Sequence, residues 1–192
     1  YFEEKYGSDT ATKMLREDRD QVIEYAKKKL RPVVDTSVTN YMDLLNANSY
    51  QKGGWILHML RQHLGDSVFR HGIRTYYERY AGKNASTDDF RKVLEEVSKK
   101  DLKQFFRQWL FTAGHPVLRF TWKWDEQKKM VTGTVSQLQP NLFQFEIELG
   151  VRTGSGTEKR SILVTGKETT ITIPATTLPQ GFLVDPDAKL LY

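Results

Sequence analysis

Four histidines, His58, His63, His71 and His115, are candidates for metal binding in this chain of 192 residues. Zinc ligands on one helix usually lie three or four residues apart, so that both imidazole rings reach the same ion. His58 and His63 are five residues apart, which separates them by about 140° around a helix. The sequence contains no HExxH motif. We therefore interpret the histidines as packing or surface residues and assign no metal ligand.

Other common catalytic motifs are also absent from the sequence. The chain has no cysteine, which excludes disulfides, thiolate metal sites and a cysteine nucleophile. It has no GxSxG elbow, no Walker motif and no dinucleotide-binding motif, although one sequence leaves a Ser–His–Asp arrangement open. Gly154 and Gly156 are predicted to form a hairpin turn rather than a phosphate cradle. From the residues alone, no complete active site is apparent.

The segment NSYQKGG, residues 48–54, is unusual because it places two glycines where an apolar helix must begin. Glycine costs up to about 1 kcal/mol in a helix interior. We therefore expect Gly53 and Gly54 to mark a close approach of the backbone to a neighbouring element. From the residues alone, Tyr50 is best interpreted as an aromatic residue that packs at a helix start. Lys52 is expected only to be solvated or paired.

The elements that hold these residues are predicted to be helical as far as about His115. Helical periodicity and capping signals predict five helices. Their expected ranges are about 8–30, 50–64, 67–81, 87–100 and 101–114, with Ser86 or Thr87 capping the fourth helix and Asp101 the fifth. Tyr76, Tyr77 and Tyr80 are expected to form the core and rim of the third helix, and Trp109 is expected in the core.

From Val117 the hydrophobic period changes to two, which is typical of strands. Leu118, Phe120, Trp122 and Trp124 are expected on one face of the first strand. Six short strands without a helical stretch predict an antiparallel β-sandwich. The fold class is therefore α+β in two parts, with a helical bundle over residues 1–115 and a β-sandwich over residues 116–192.

Charge and hydropathy restrict the partners of the chain. The formal net charge is +5 and the pI is about 9.3, but basic and acidic residues alternate as on a solvated surface. This pattern favours a mildly basic protein surface over a nucleic-acid interface, so no nucleic-acid partner is predicted. No apolar run approaches the roughly 18–20 residues of a membrane span.

Several motifs in the right order resemble one family of enzymes. SYQKGGWILHMLRQHLG resembles the phrase YxKGxxxxxxLxxxLG of the aminopeptidase N family, which consists of zinc metallopeptidases. FRHGIRTYYERYAGKNASTDDF, DLKQFFRQWLFTAGHPVL and LVDPDAKLL resemble later phrases of the same family. The resemblance covers almost the whole chain. It implies the C-terminal portion of a thermolysin-like catalytic domain followed by a β-sandwich.

The resemblance also implies a role for Tyr50 and a cofactor for the longer protein. The matching tyrosine of the family donates a hydrogen bond to the oxyanion of the tetrahedral intermediate, so Tyr50 is expected to be catalytic. YFEEKYG resembles the segment that follows the family's third zinc ligand, and this ligand would fall just before Tyr1. Zinc, its ligands and the general base are therefore expected upstream of this chain. Glu3 and Glu4 do not match the ligand position.

The resulting expectation is a fragment of a zinc aminopeptidase that removes N-terminal residues from peptides, inactive as a separate chain. The alternative is a non-catalytic scaffold or interaction module that shares the aminopeptidase fold. A basic nucleic-acid-binding module is the third possibility, and it would show binding that depends strongly on salt. Oligomeric state and localisation are not predicted.

Overall fold

A computed structural model describes residues 2–192, with side chains from Glu4 onward. The α-helices of this described part are α1 (Phe2–Tyr6), α2 (Ser8–Lys28), α3 (Gln51–Leu64), α4 (Asp66–Tyr80), α5 (Thr87–Ser98) and α6 (Lys103–Leu110). A short 3₁₀ helix covers Tyr41–Leu44 within the connection from α2 to α3. The α+β class with helices followed by strands is confirmed. None of the helices described is both long and apolar enough to cross a membrane.

The ends of α6 differ most from the sequence predictions. Asp101 is the expected cap of this helix, which is the fifth of the predicted helices, but the cap position is Leu102. The Asp101 carboxylate still accepts a hydrogen bond from the Lys103 amide at 2.8 Å, so the expected side chain satisfies one free N–H group. This helix also ends at Leu110 instead of Gly114. Gly114 has a φ of +88°, which is outside the helical region.

The second part of the chain forms two antiparallel sheets of three strands each. The strands are β1 (Leu118–Asp125), β2 (Met130–Gln137), β3 (Phe145–Thr153), β4 (Gly156–Val164), β5 (Glu168–Pro174) and β6 (Gly181–Val184). One sheet has the order β1-β2-β5 and the other has the order β4-β3-β6. The pairing of Thr153 with Gly156 leaves a two-residue turn, as expected for the hairpin at Gly154 and Gly156.

Alternation along the strands explains the core of these sheets. Residues at every second position of β3 and β5 are buried, and they are Phe145, Ile147, Leu149, Val151, Ile171 and Ile173. The aromatic face of β1 is less buried than theirs. Trp122 is 43% exposed and stacks on Phe182, with 5.6 Å between the ring centroids. Trp124 donates its indole N–H to the Ala175 carbonyl at 3.1 Å.

The chain divides into two compact units. One contains the chain up to Arg19 together with His115–Tyr192, and the other is Asp20–Gly114. α2 therefore contributes residues to both units. The assignment of residues 1–115 and 116–192 to two domains stays a prediction.

The core of the helical unit is formed by apolar faces of α3 to α6. Its buried cluster consists of Leu60, Leu64, Leu94, Leu102 and Phe106. Trp109 is 1% exposed, as predicted for a core residue. Tyr76 contacts Tyr80 and Phe90 through its ring. Tyr77, by contrast, is 73% exposed and belongs to the rim.

Candidate active site

Tyr50 lies at the start of α3 and has an exposed side chain. The residue occupies the N-cap position, and its side chain makes no capping hydrogen bond. It is 62% exposed. An aromatic residue that staples a helix start would instead be packed against its first turns. Within the described residues, Tyr50 therefore presents a phenol to its surroundings rather than filling a space.

The backbone of Tyr50 is fixed on both sides although its side chain is exposed. Its amide donates to the Asn46 carbonyl at 3.1 Å, and its carbonyl accepts from the Gly54 amide at 2.8 Å. The side-chain oxygen of Asn46 accepts from the amides of Asn48 and Ser49, at 2.8 and 3.2 Å. Such local bonds from an asparagine to following amides are typical of tight turns. The turn before α3 thus has a defined backbone conformation.

Asn48 connects this turn to the chain that follows α2. Its side chain is 7% exposed, and its amide nitrogen donates to the Pro32 carbonyl at 2.7 Å and to the Arg31 carbonyl at 3.2 Å. Arg31 and Pro32 are in an irregular segment, whose carbonyls have no helical or strand partner. The buried Asn48 side chain thus ties the turn before α3 to this segment through two hydrogen bonds.

Lys52 connects the first turn of α3 to a second distant segment. It is 1% exposed, and its ammonium nitrogen donates to the Gly114 carbonyl at 2.8 Å. Burial lowers the pKa of Lys52 from 10.5 to about 8, because the charged form loses its hydration. Of the two roles expected for Lys52, solvation is therefore wrong, because Lys52 is buried. Its ammonium group is bonded to the main chain.

The two glycines do not make the close approach that their positions predicted. A Cβ atom built on Gly53 or on Gly54 would meet no atom within 4 Å in the described chain. The expectation of a neighbouring helix at these positions is wrong for this structure. The reason is geometric, because Gly54 is exposed on the side of α3 opposite its buried residues.

The histidines do not come together in the described residues. His58 contacts the ring of Trp55 edge-on at 5.5 Å, and His63 stacks on Phe105 at 6.2 Å. His71 is exposed on α4. His115 is buried in the other unit, with Nδ1 3.0 Å from the Pro116 carbonyl oxygen. Packing and surface roles account for these positions.

The described residues do not fit the zinc ion that the resemblance implies. No group of three or more histidine, aspartate or glutamate side chains in residues 4–192 is close enough to hold a metal ion. The first turn of α3 contains no acidic residue, so Tyr50 has no carboxylate beside it in this turn. The chemistry available here is hydrogen-bond donation by the phenol of Tyr50.

Sequence reasoning missed Asn48 and gave Lys52 no role, although one signal for Lys52 was available. Position 52 precedes the buried residues of α3 by helical spacings of three, four, seven and eight, and those residues are Trp55, Ile56, Met59 and Leu60. These spacings place position 52 on the buried stripe of the helix, so the sequence already indicated burial of at least the methylene stem of Lys52. For Asn48 no comparable signal exists, because its acceptors are 16 and 17 residues earlier in an irregular segment.

Comparisons with known proteins identify related sequences. A model described as the peptidase family M1 domain matches residues 3–109. Aminopeptidase N of Escherichia coli (strain K12) is 29% identical over 120 residues, which are 62% of this chain and 14% of that protein. Glutamyl aminopeptidase of Bitis rhinoceros is 44% identical over 71 residues, which are 37% of this chain and 7% of that protein. The chain thus spans less than a fifth of the length of these curated relatives.

A solved structure has a similar fold. It is described as the crystal structure of Legionella pneumophila aminopeptidase A in complex with aspartic acid. The TM-score is 0.71 at 19% identity, and the match covers 92% of this chain and 20% of that one. At this level of identity the likeness concerns the fold.

Proposed function

Since this chain belongs to peptidase family M1, we propose that it is part of a zinc-dependent aminopeptidase that hydrolyses N-terminal residues from peptides. The curated relatives named above are aminopeptidases. The zinc ligands and the general base would lie in a part of the polypeptide that precedes Tyr1. Zinc bound there would supply Lewis-acid chemistry. This chain would contribute a hydrogen-bond donor and the elements that hold it.

Tyr50 is the residue of this chain that we assign to the reaction. As the scissile carbonyl is attacked, negative charge develops on its oxygen, and a fixed donor stabilises this charge more than it stabilises the substrate. The observation that carries the proposal is that Tyr50 combines an exposed phenol with a backbone bonded at both its amide and its carbonyl. The backbone that carries the phenol is thus already ordered before the oxyanion forms.

The test is Tyr50→Phe in the longer M1 polypeptide that contains this chain, assayed with an aminoacyl p-nitroanilide. Phenylalanine retains the ring and removes the hydroxyl donor. Loss of one oxyanion donor typically lowers kcat by about 10²–10³-fold. Tyr77→Phe is the matched control, because Tyr77 is also an exposed tyrosine of the same unit, and it should leave kcat unchanged. An unchanged kcat for Tyr50→Phe would remove this assignment. No turnover by the unsubstituted polypeptide would favour the scaffold function.

We further propose that the separate 192-residue chain is inactive, since its described residues provide no zinc site. Incubation of the chain with zinc and an aminoacyl p-nitroanilide should release no p-nitroaniline above the background. Turnover that survives repurification and disappears in the Tyr50→Phe chain would contradict this proposal.

A further inference from the structure

Two buried polar side chains flank the exposed Tyr50, one on either side of it in the sequence. Asn48 precedes it by two residues and Lys52 follows it by two. Each donates to a main-chain carbonyl of a segment distant in sequence, and both are almost completely buried while Tyr50 is not. This arrangement differs from an ordinary helix start, where local caps satisfy the first amides.

We propose that Asn48 and Lys52 are positioning residues that hold the Tyr50 hydroxyl in its place for the reaction. The inference rests on the proposed function of Tyr50 and deepens it. Asn48 connects the turn to Pro32, and Lys52 connects the first helical turn to Gly114. Tyr50 lies between these two connections, so movement at either one would change the position of its side chain.

Helix packing alone does not account for a lysine at position 52. The stripe that contains Lys52 is otherwise apolar, and an aliphatic side chain would fill it without the loss of ammonium hydration. A lysine becomes useful there only through its bond to the Gly114 carbonyl, which is 62 residues away in the sequence. The bond ties the first turn of α3 to one main-chain oxygen, which apolar contacts do not do because they are not directional.

Lys100 provides an internal comparison within the same unit. Its ammonium nitrogen also donates to a main-chain carbonyl at 2.8 Å, that of His63, but Lys100 is exposed. His63 is at the opposite end of α3 from Tyr50. An ammonium-to-carbonyl bond is thus made at either end of α3, with Lys52 as the buried donor and Lys100 as the exposed one. A variant of Lys100 removes a bond of this type at the end of α3 away from Tyr50.

The first test is a double-mutant cycle in the longer M1 polypeptide, using Tyr50→Phe, Lys52→Met and both together. A displaced catalytic group can lower the rate by up to about 10²-fold. We expect Lys52→Met to lower kcat by about 10- to 100-fold with little change in KM. In the Tyr50→Phe background the same change should lower kcat no further, since there is no hydroxyl left to position. Lys100→Met should leave kcat unchanged in both backgrounds.

The outcomes of the cycle separate the two proposals. If Tyr50→Phe has no effect on kcat, the proposed role of Tyr50 fails, and the positioning role fails with it. If Tyr50→Phe lowers kcat and Lys52→Met lowers it equally in both backgrounds, Tyr50 remains catalytic and the positioning role is overturned. If Lys52→Met changes only KM, the residue acts on substrate binding and the inference is equally overturned.

The second test uses native-state amide exchange of the 192-residue chain, which needs no activity. In Lys52→Met and in Asn48→Ala, exchange should accelerate at the amides of Tyr50, Lys52 and Gly54, which are hydrogen-bonded in the turn and the first helical turn. The amides of α5 should keep their protection, and Lys100→Met should affect neither group. Unchanged exchange at the three amides would overturn the inference. Global unfolding of both variants would overturn it too, because the residues would then support the whole unit.

Discussion

The start of α3 and the start of α5 show two ways of beginning a helix in the same unit. α5 begins with a capping box, in which the Ser86 side chain accepts from the Asp89 amide and the Asp89 carboxylate accepts from the Ser86 amide. The hydrogen bond from the Ser86 hydroxyl also lowers the pKa of Asp89. Asp88 and Asp89 in the first turn suit the positive end of the helix dipole.

α3 follows none of these local rules. Its N-cap residue is Tyr50, which makes no capping bond, and its first turn has no acidic residue. Instead it contains a buried lysine and two glycines. Local preferences that conflict with the fold are expected at functional positions. The contrast supports the proposal that the start of α3 serves a site, whereas the start of α5 serves stability.

The largest effect expected from this contrast is a pH-dependent stability due to Lys52. Its pKa is about 8 in the folded chain, against 10.5 as the ordinary value. Between these values the unfolded chain holds the proton that the folded chain has released, so the free energy of unfolding rises with pH across this window. From the pKa difference the rise is about 3 kcal/mol.

Urea unfolding of the wild-type chain and of Lys52→Met between pH 7 and pH 10.5 measures this rise. The difference between their unfolding free energies should change by about 3 kcal/mol in favour of the wild type as pH increases. The tyrosines titrate in both chains and cancel in the difference. Lys100→Met should remain parallel to the wild type. Parallel curves for Lys52→Met would show that Lys52 is not desolvated.

A smaller effect on the free energy of unfolding is expected from a substitution of Gly72, which lies where α4 packs against α5. A Cβ atom at Gly72 would overlap Cδ2 of Leu94, and Leu94 is 1% exposed and has little room to move. Overpacking a core costs about 1–3 kcal/mol, and alanine regains up to about 1 kcal/mol in helix propensity. Gly72→Ala should therefore lower the free energy of unfolding by about 1–2 kcal/mol, measured by urea unfolding. An increase would contradict the packing of α4 on α5.

The capping box of α5 should contribute less than this contact. Ser86→Ala removes the side chain that accepts from the Asp89 amide, and such a change at an N-cap costs about 1 kcal/mol. Ser67→Ala is a suitable control, because Ser67 is an exposed serine after the cap position of α4. Thermal unfolding should show a lower Tm for Ser86→Ala alone. Equal Tm values would remove the distinction between the two helix starts.

The contrast also explains which features could be predicted from the sequence. The start of α5 was predictable because Ser86 and Asp89 lie three residues apart and satisfy one another locally. The strands were predictable for the same reason, since their alternation is local. The roles of Asn48 and Lys52 depend on carbonyls 16 and 62 residues away, which no local pattern specifies.

The surroundings of a glycine are also not predictable from the local sequence. Gly54 was expected to make a close contact and makes none, whereas Gly72 was not singled out and lies against Leu94. Both are inside helices. The neighbour of a glycine is set by the packing of a second element, so it follows from tertiary structure.

The smallest expected change in the free energy of unfolding is that of Gly54→Ala, and its sign is opposite to that of Gly72→Ala. A Cβ atom at Gly54 meets nothing within 4 Å, and its helical backbone suits alanine. Gly54→Ala should raise the free energy of unfolding of the chain by about 0.5–1 kcal/mol, because alanine loses less backbone entropy on folding. Urea unfolding of Gly54→Ala and of Gly72→Ala, measured together, compares the same substitution at a position with free space and at one filled by Leu94. Destabilisation by Gly54→Ala would mean that something does approach this face of α3 in solution, and the original expectation for the two glycines would then be restored.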